Sequence, residues 1–445
     1  MEIVQPIAVR RGQAVRAAAL SAAAASLLAV FLALGLALGR HPLPVPLVLG
    51  FGLGLLGTLA LALTRYDAVV AVGILLLAAV RIEPAPADLV FGVLIAVAVA
   101  TWRFDLQRVP LSITLLVAAF LALNLIASIE VIDAARAVNF FGITLYLGVF
   151  GLWLASYVRS SSRARLVLVA YLAAAVLSAA LACLALLAPF PGSDAFVRGP
   201  RAQGLFKDPN VFGPFLVPAA LVLMEEIVAP RLLRLRLPAK LLLLSVLTLG
   251  VLFSFSRAAW LNLAVGTLVV FSVLALRRGG FGRAAMLGAT VLVAGAALAV
   301  TVAASSSLTF LEERASFQAY DTQRFGAQLS GIDLAAEYPL GIGPGQFERA
   351  SQLSAHSTYV RALAEEGILG LLVVLALMVL TLGFAGRNAV LGADTYGIGS
   401  AALFGAWCGI LANSVFVDTL HWRHLWLVAA LIWAGTALRA RYPGR

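Results

Sequence analysis

The chain has 445 residues, of which 62% are hydrophobic and only 12% charged. A soluble domain is roughly half apolar and about a quarter charged, so this chain has too little polar surface to cover a soluble globule. The 32 basic against 21 acidic side chains give a net charge of +11. The arginines lie between long apolar runs, where they set membrane topology rather than grip nucleic acid. No zinc-finger spacing and no continuous basic face supports a nucleic-acid partner.

The apolar runs predict an all-α, polytopic membrane protein forming one integral membrane domain over 1–445. Unbroken runs near twenty residues exclude a β-barrel, which needs alternating strands of about ten. In chain order, spans are expected near 17–39, 46–63, 67–82, 86–101, 110–128, 137–158 and 165–189. After a polar break at 190–210 come 211–229, 238–254, 258–276 and 284–303. The last three lie near 357–384, 396–415 and 424–440. The total is about 12–14 spans, depending on whether the short runs between 46 and 101 merge or re-enter. Arg10, Arg11 and Arg16 precede a first run long enough to be a retained span rather than a signal peptide.

The basic turns agree on one orientation. Arg159, Arg163 and Arg165, then Arg231, Arg234, Arg236 and Lys240, then Arg277, Arg278 and Arg283, fall on one side. Arg387, Arg439, Arg441 and Arg445 join them. By the positive-inside bias this side is cytoplasmic, with both termini on it. Two polar loops are then external: 190–210, and the large loop 304–356. The large loop has helical spacing near Glu312–Leu334, with Phe317, Tyr320, Phe325 and Leu329 as an apolar stripe. Pro339 and the run Gly341-Ile342-Gly343-Pro344-Gly345 end that helix in a tight turn. A plain connector with one surface helix is the alternative.

Cofactor signals are lacking. No GxxxxGK[ST] is present, which excludes an ATP-driven pump built within this chain. There are four histidines, no HExxH and no CxxC, so no protein-built metal site is expected. Cys183 and Cys408 sit in apolar segments and read as buried thiols.

Three places carry chemistry. The first loop reads FVRGPRAQGLFKDPN, with Arg198, Arg201 and Lys207 against Asp194 and Asp208. Its positive charge runs against the topology trend, and an anionic ligand is the simplest reason. Asp208 suits an N-cap and Pro209 the first helical position. The helix opening at Asn210 would aim its free N–H groups at the same face, where a phosphate is well served beside arginines. Alternatively, Asp208 only caps and Arg201 only meets a lipid headgroup. Second, Arg257 in SFSRAAW breaks two apolar runs, and a charge so near hydrocarbon usually has a task. The alternative is a snorkelling arginine with Trp260 as an interface anchor. Third, His356 stands where the large loop re-enters the membrane. Gly341, Gly343 and Gly345 before it permit close backbone approach. Histidine is the natural proton acceptor near neutrality. Tyr359, three residues on, is expected on the same face as His356. Glu365 lies on the same helix, and Arg361 points elsewhere.

Topology puts these three places on one side of the membrane. Together they suggest binding of a diphosphate, activation of a hydroxyl, and group transfer from a lipid-linked phosphate. No acidic pair suits glycosidase or metal chemistry. Asp67, Asp88, Glu225, Glu226 and Asp394 lie near predicted span ends, whereas a proton-coupled carrier tends to place one near the midplane. His421, Arg423 and His424 form a further external cluster.

Four segments, RAQGLFKDPN (201–210), FSFSRAAW (253–260), EYPLGIGPGQF (337–347) and HSTYVRALAEEGILG (356–370), resemble the O-antigen ligase and polymerase superfamily in order and spacing. The resemblance covers roughly residues 130–440. It implies a GT-C type glycosyltransferase in the cytoplasmic (inner) membrane, working at the external face without metal, ATP or another cofactor. The implied partners are a polyprenyl-diphosphate-linked glycan donor, a lipid or glycan acceptor, and membrane lipids. Ligases transfer the glycan to lipid A core; polymerases transfer it to the next lipid-linked repeat. By motif, His356 is the implied general base, and Arg201 and Arg257 hold the donor diphosphate. Arg324, on the external helix, matches as a third such arginine. Lys207, Asp208, Asn210, Gly343, Gly345, Ser357 and Tyr359 are implied supports. Ser357 stands where the family often has Asn, which leaves the acceptor class open. The rival readings are a polymerase, a polysaccharide or lipid transporter or flippase, and a non-enzymatic membrane assembly factor.

Overall fold

The computed structural model describes residues 45–277, 280–289, 291, 295, 319–351 and 353–441. The expected first span 17–39, its leading arginines, Arg278, Arg445, and 304–318 of the large loop lie outside the described residues. So does part of the expected span 284–303, of which 284–289 is helical.

The chain is a polytopic helical membrane protein. In order, its helices are α1 (Val45–Thr64), α2 (Tyr66–Leu75), α3 (Pro86–Ala100), α4 (Leu111–Ala127), α5 (Ala134–Tyr157) and α6 (Ser161–Leu187). A small hairpin, β1 (Val197–Arg198) and β2 (Arg201–Ala202), is followed by α7 (Pro209–Val228), α8 (Leu237–Phe253) and α9 (Arg257–Leu276). Then come α10 (Ala319–Glu337), the short α11 (Phe347–Ala350), α12 (Thr358–Val390), α13 (Ser400–Ser414) and α14 (Arg423–Arg441). Five of these, α5, α6, α7, α9 and α12, are long and apolar enough to cross a membrane by themselves. Of the other expected spans, those between 46 and 254 and the last two are, among the described residues, shorter apolar helices. Two are shortened for visible reasons. After α2 the helix tightens into one 3-10 turn, Leu76–Ala78, and then leaves it, with the Val80 amide donating to the Leu205 carbonyl of the first polar loop at 3.0 Å. Before α13, Tyr396 (φ +50°) and Gly397 (φ +98°) form a tight turn closed between Thr395 and Ile398, so the helix starts only at Ser400.

Helix α7 forms the centre. Asp208 caps it, Pro209 opens it, and nearly all of its length is buried despite Pro214 and Pro218. Helices α9 and α13 meet along a seam of small residues. A Cβ on Gly266 would lie 3.2 Å from the Gly405 carbonyl oxygen, and one on Gly405 would lie 2.6 Å from that of Gly266. Between apolar helices in a membrane such close backbone packing supplies the attraction that water would otherwise drive.

The links collect at two ends. At one end, Lys207 pairs with Glu83 at 2.7 Å, Arg201 reaches Ser254, and Arg324 reaches Phe416. At the other, Tyr157 donates to Asp67, Arg231 bridges buried Glu225 and Asp394, Lys240 meets Glu226, and Arg277 holds the Ala389 carbonyl. The acidic residues near span ends thus have partners beside them, as their buried position requires.

Helix α12 is broken at Gly367, whose φ of +70° and ψ of −172° interrupt its hydrogen-bond ladder. The 338–346 loop closes over the break. Ile342 and Gly343 donate their amides to the carbonyls of Ala364 and Glu365, each at 2.9 Å. Backbone must touch backbone here: a Cβ on Gly367 would lie 2.2 Å from the Pro339 carbonyl oxygen.

Helix α10 corrects the expected stripe. It packs inward through Ala327 and Gly331, with Leu334 beside them, while Phe325 and Leu329 are exposed. The reason is steric: a Cβ at Gly331 would come within 2.4 Å of Val360, so the small residues set the contact face. Phe317 and the side chain of Tyr320 lie outside the described residues.

Candidate functional site

A cavity of about 600 Å³ opens at the end that carries the two polar loops. That size suits a small-molecule or headgroup site. Arg201, Asn210, Arg257, Arg324, Gln328 and His356 line it, with apolar walls that include Phe255, Phe325, Phe416 and Val417. It therefore gathers side chains from the β-hairpin, α7, α9, α10 and the segments flanking α12 and α13.

Arg201 ends the tight hairpin, paired in register with Arg198. Its Nε donates to the Ser254 carbonyl at 2.9 Å and its Nη2 to Asn210 Oδ1 at 3.0 Å. Asn210 is itself set by Asp208, whose carboxylate accepts its amide at 2.7 Å. One carboxylate thus caps α7 and, through Asn210, aims a guanidinium. Arg257 is the first residue of α9. Ser256 caps that helix by accepting the Ala259 amide. Arg324, on α10, donates to the Phe416 carbonyl at 2.8 Å.

His356 does not lie on α12. Ser357 is the N-cap, accepting the Val360 amide, so the helix begins at Thr358. The expected shared face with Tyr359 is therefore not formed: Tyr359 donates to the Leu411 carbonyl at 3.1 Å and does not line the cavity. His356 itself takes φ +47°. Non-glycine residues rarely enter this region, and histidine is among those that do so most readily. Among the described residues Trp102, Phe255, His356 and Tyr396 share this conformation, and Phe255 and His356 both line the cavity. Strained backbone of this kind concentrates at functional sites.

The environment of His356 favours neutral imidazole. Burial pushes its pKa below the ordinary 6.5, the nearby Arg324 and Arg361 push the same way, and Asp208 and Glu348 oppose them. A process needing the neutral ring persists below pH 6.5 and fails as pH falls through the lowered value. Replacing Arg324 by Gln removes one depressing charge, so the acidic limb of the pH–activity profile should move to higher pH. Measuring that limb in both proteins checks this. A limb at or above 6.5 in the parent, or one unmoved by the substitution, counts against it.

The remaining expected supports sit around the cavity rather than in it. Lys207 is half-exposed on Glu83. Gly343 and Gly345 lie behind, where a Cβ would meet Val131 at 2.3 Å and Phe140 at 2.5 Å. Ser357 caps α12, and Ser and Asn cap helices about equally well, which accounts physically for either residue at this position. His421 meets Asp418 and Thr144, Arg423 pairs with Asp88, and His424 stacks on Trp422; none lines the cavity. Arg361 is turned away, as expected. It is buried and joins Glu348, Glu365 at 2.7 Å and Asp418 at 2.9 Å. Burial works against ionised Asp418, but Arg361 and a hydrogen bond from His421 prevail and hold its carboxyl at about 2.

Three contributors carry no sequence signal of their own. Phe416 and Val417 belong to a turn 60 residues beyond His356. Gln328 lies one helical turn from Arg324 but has nothing distinctive in composition.

A search of curated proteins returns no match to the chain. A family comparison does, over the stretch holding Arg257, Arg324, Gln328 and His356, with Arg201 entering from outside it. Residues 241–375 match the O-Antigen ligase family, a similarity that together with the helical membrane architecture supports the wider ligase and polymerase superfamily and, in general terms, a membrane enzyme of glycan transfer.

Proposed function

We propose that this protein transfers a glycan from a polyprenyl-diphosphate carrier to an acceptor hydroxyl, most simply on lipid A core, at the external face of the cytoplasmic membrane. The observation behind this reading is the convergence of Arg201, Arg257, Arg324 and His356 on one cavity. The basic turns at the opposite end of the bundle support an external site by the positive-inside bias.

The chemistry is a single displacement. The acceptor oxygen attacks the anomeric carbon of the bound sugar and the bond from that carbon to the diphosphate breaks, inverting the centre. His356 takes the hydroxyl proton as the new bond forms. The three guanidinium groups meet the charge that develops on the departing diphosphate, where fixed cations are most effective. Their anchoring before substrate arrives, Arg201 on Ser254 and Asn210 and Arg324 on Phe416, means little reorganisation is needed at that moment. Ser357 and Asp208 act as helix caps that hold His356 and Asn210 in place.

The test is reconstitution of the full chain in proteoliposomes with a defined polyprenyl-diphosphate glycan, offering lipid A core and a second lipid-linked repeat separately. Glycan on lipid A core is the expected product. Product only on the second repeat makes the protein a polymerase. Movement of the lipid-linked glycan across the bilayer with no transfer makes it a flippase and ends the proposal.

A further inference from the structure

We propose that Gln328 is the positioning residue for His356. This inference rests on the reading of His356 as the base. Three features carry it. The first is the conformation of His356, at φ +47°, which persists only when its surroundings over-determine it. The second is how it is held. On one side Ala355 is fully buried against Phe347 and Ala364; on the other Ser357 is buried as the cap of α12. Those neighbours fix where the chain enters and leaves the histidine, but not the rotation of the peptide that follows it. That rotation is held by Gln328, whose Nε2 donates to the His356 carbonyl at 3.3 Å.

The third feature is that the same nitrogen donates to the Val415 carbonyl at 3.4 Å. A carboxamide nitrogen carries two hydrogens, and here both go to main-chain oxygens from two different elements. One helical turn earlier, Arg324 donates to the next carbonyl of that turn, Phe416. One row of α10 therefore clamps the His356 peptide and the turn after α13, which together with α10 frame the cavity. Thr358 completes the clamp from behind, donating to the Val417 carbonyl and accepting the Thr419 amide. A side chain with the same shape and no N–H groups would leave the His356 peptide free to relax to negative φ. The imidazole would then leave its place over the acceptor hydroxyl, while the arginines stayed where they are. Gln328 thus acts through His356 and not on the substrate.

The experiment compares Gln328→Met and Gln328→Glu with the parent in the reconstituted transfer assay, varying donor concentration and pH. Gln328→Met keeps the length and removes both donors. Its kcat should fall about 100-fold, the scale of loss when a reacting group is misplaced by around 1 Å, with KM for the polyprenyl-diphosphate glycan unchanged. Gln328→Glu also removes both donors and adds a negative charge near the imidazole. That charge favours the protonated ring, so the acidic limb should shift to higher pH. The limb is read from its position, not its height, and so survives partial loss of folded protein. A Gln328→Met protein with parental kcat overturns the inference. So does a parallel change in kcat and KM with the limb of Gln328→Glu unmoved, since that is the behaviour of a cavity wall. If His356→Ala retains transfer, the reading of His356 fails and takes this inference with it, whereas failure at Gln328 alone leaves that reading standing.

Discussion

Replacement of His356 by alanine should lower glycan transfer by roughly 10²–10⁴-fold, the usual contribution of a positioned general base, while the protein still inserts and folds. Lipid-linked donor should accumulate in cells carrying the variant. The position complicates the choice of substitution, because His356 occupies left-handed backbone, which costs a Cβ-bearing residue about 1–2 kcal/mol and which alanine enters less readily than histidine. His356→Asn avoids this, since asparagine tolerates the same conformation through its short polar side chain. The two variants should therefore be equally inactive but differ slightly in stability. Transfer at the parental rate by His356→Asn, in protein of normal thermal stability, would remove this residue from the role of base and leave the arginine-lined cavity without one.

Arg361→Met should be the most damaging change to the folded state. Arg361 is 5% exposed and is shared by three carboxylates, Glu348, Glu365 and Asp418. Glu365 also accepts the amides of Gly345 and Phe347 at 2.8 and 3.1 Å. The arginine thus ties α12 to the glycine-rich loop before α11 and to the turn that supplies Phe416 and Val417 to the cavity. Removing one partner of a buried ion network costs about 3–5 kcal/mol, because the remaining charges stay buried and uncompensated. Against a typical total of about 5–15 kcal/mol, this is enough to reduce the yield of folded protein sharply. Thermal unfolding in detergent should show the loss. Adding Glu365→Gln to Arg361→Met should recover part of it by removing one orphaned charge. Equal melting of Arg361→Met and the parent would show that the network contributes nothing to stability.

Sequence position alone begins to sort the arginines by kind. Arg201 and Arg257 stood out because they interrupt the pattern of charge and hydrophobicity, and both line the cavity. Arg361 was read as pointing elsewhere, and it does. The helical cap at Asp208 was readable from Asp-Pro-Asn, because capping is a local arrangement of backbone and side chain. The tight turn at 341–345 was readable from its glycines for the same reason. The order of the described helices followed from apolar runs, which report burial in lipid residue by residue.

What could not be read was everything that depends on which faces meet. The helices here are apolar on nearly all sides, so no amphipathic stripe announces the inner face. Helix α10 shows the consequence: Phe325 and Leu329 made the conspicuous stripe, yet the contact runs through Ala327 and Gly331, because close backbone approach outweighed side-chain size. The expected shared face of His356 and Tyr359 is not formed because Ser357 caps α12 and leaves His356 outside the helix in left-handed backbone. Gln328 and Phe416 were invisible because their roles are main-chain hydrogen bonds spanning 28 to 92 residues of sequence. Local chemistry thus determined where helices begin, where charge is tolerated and which side chains are reactive. Long-range packing decided which of those side chains share a cavity and how each is held, since contact between distant segments has no signature in either one alone.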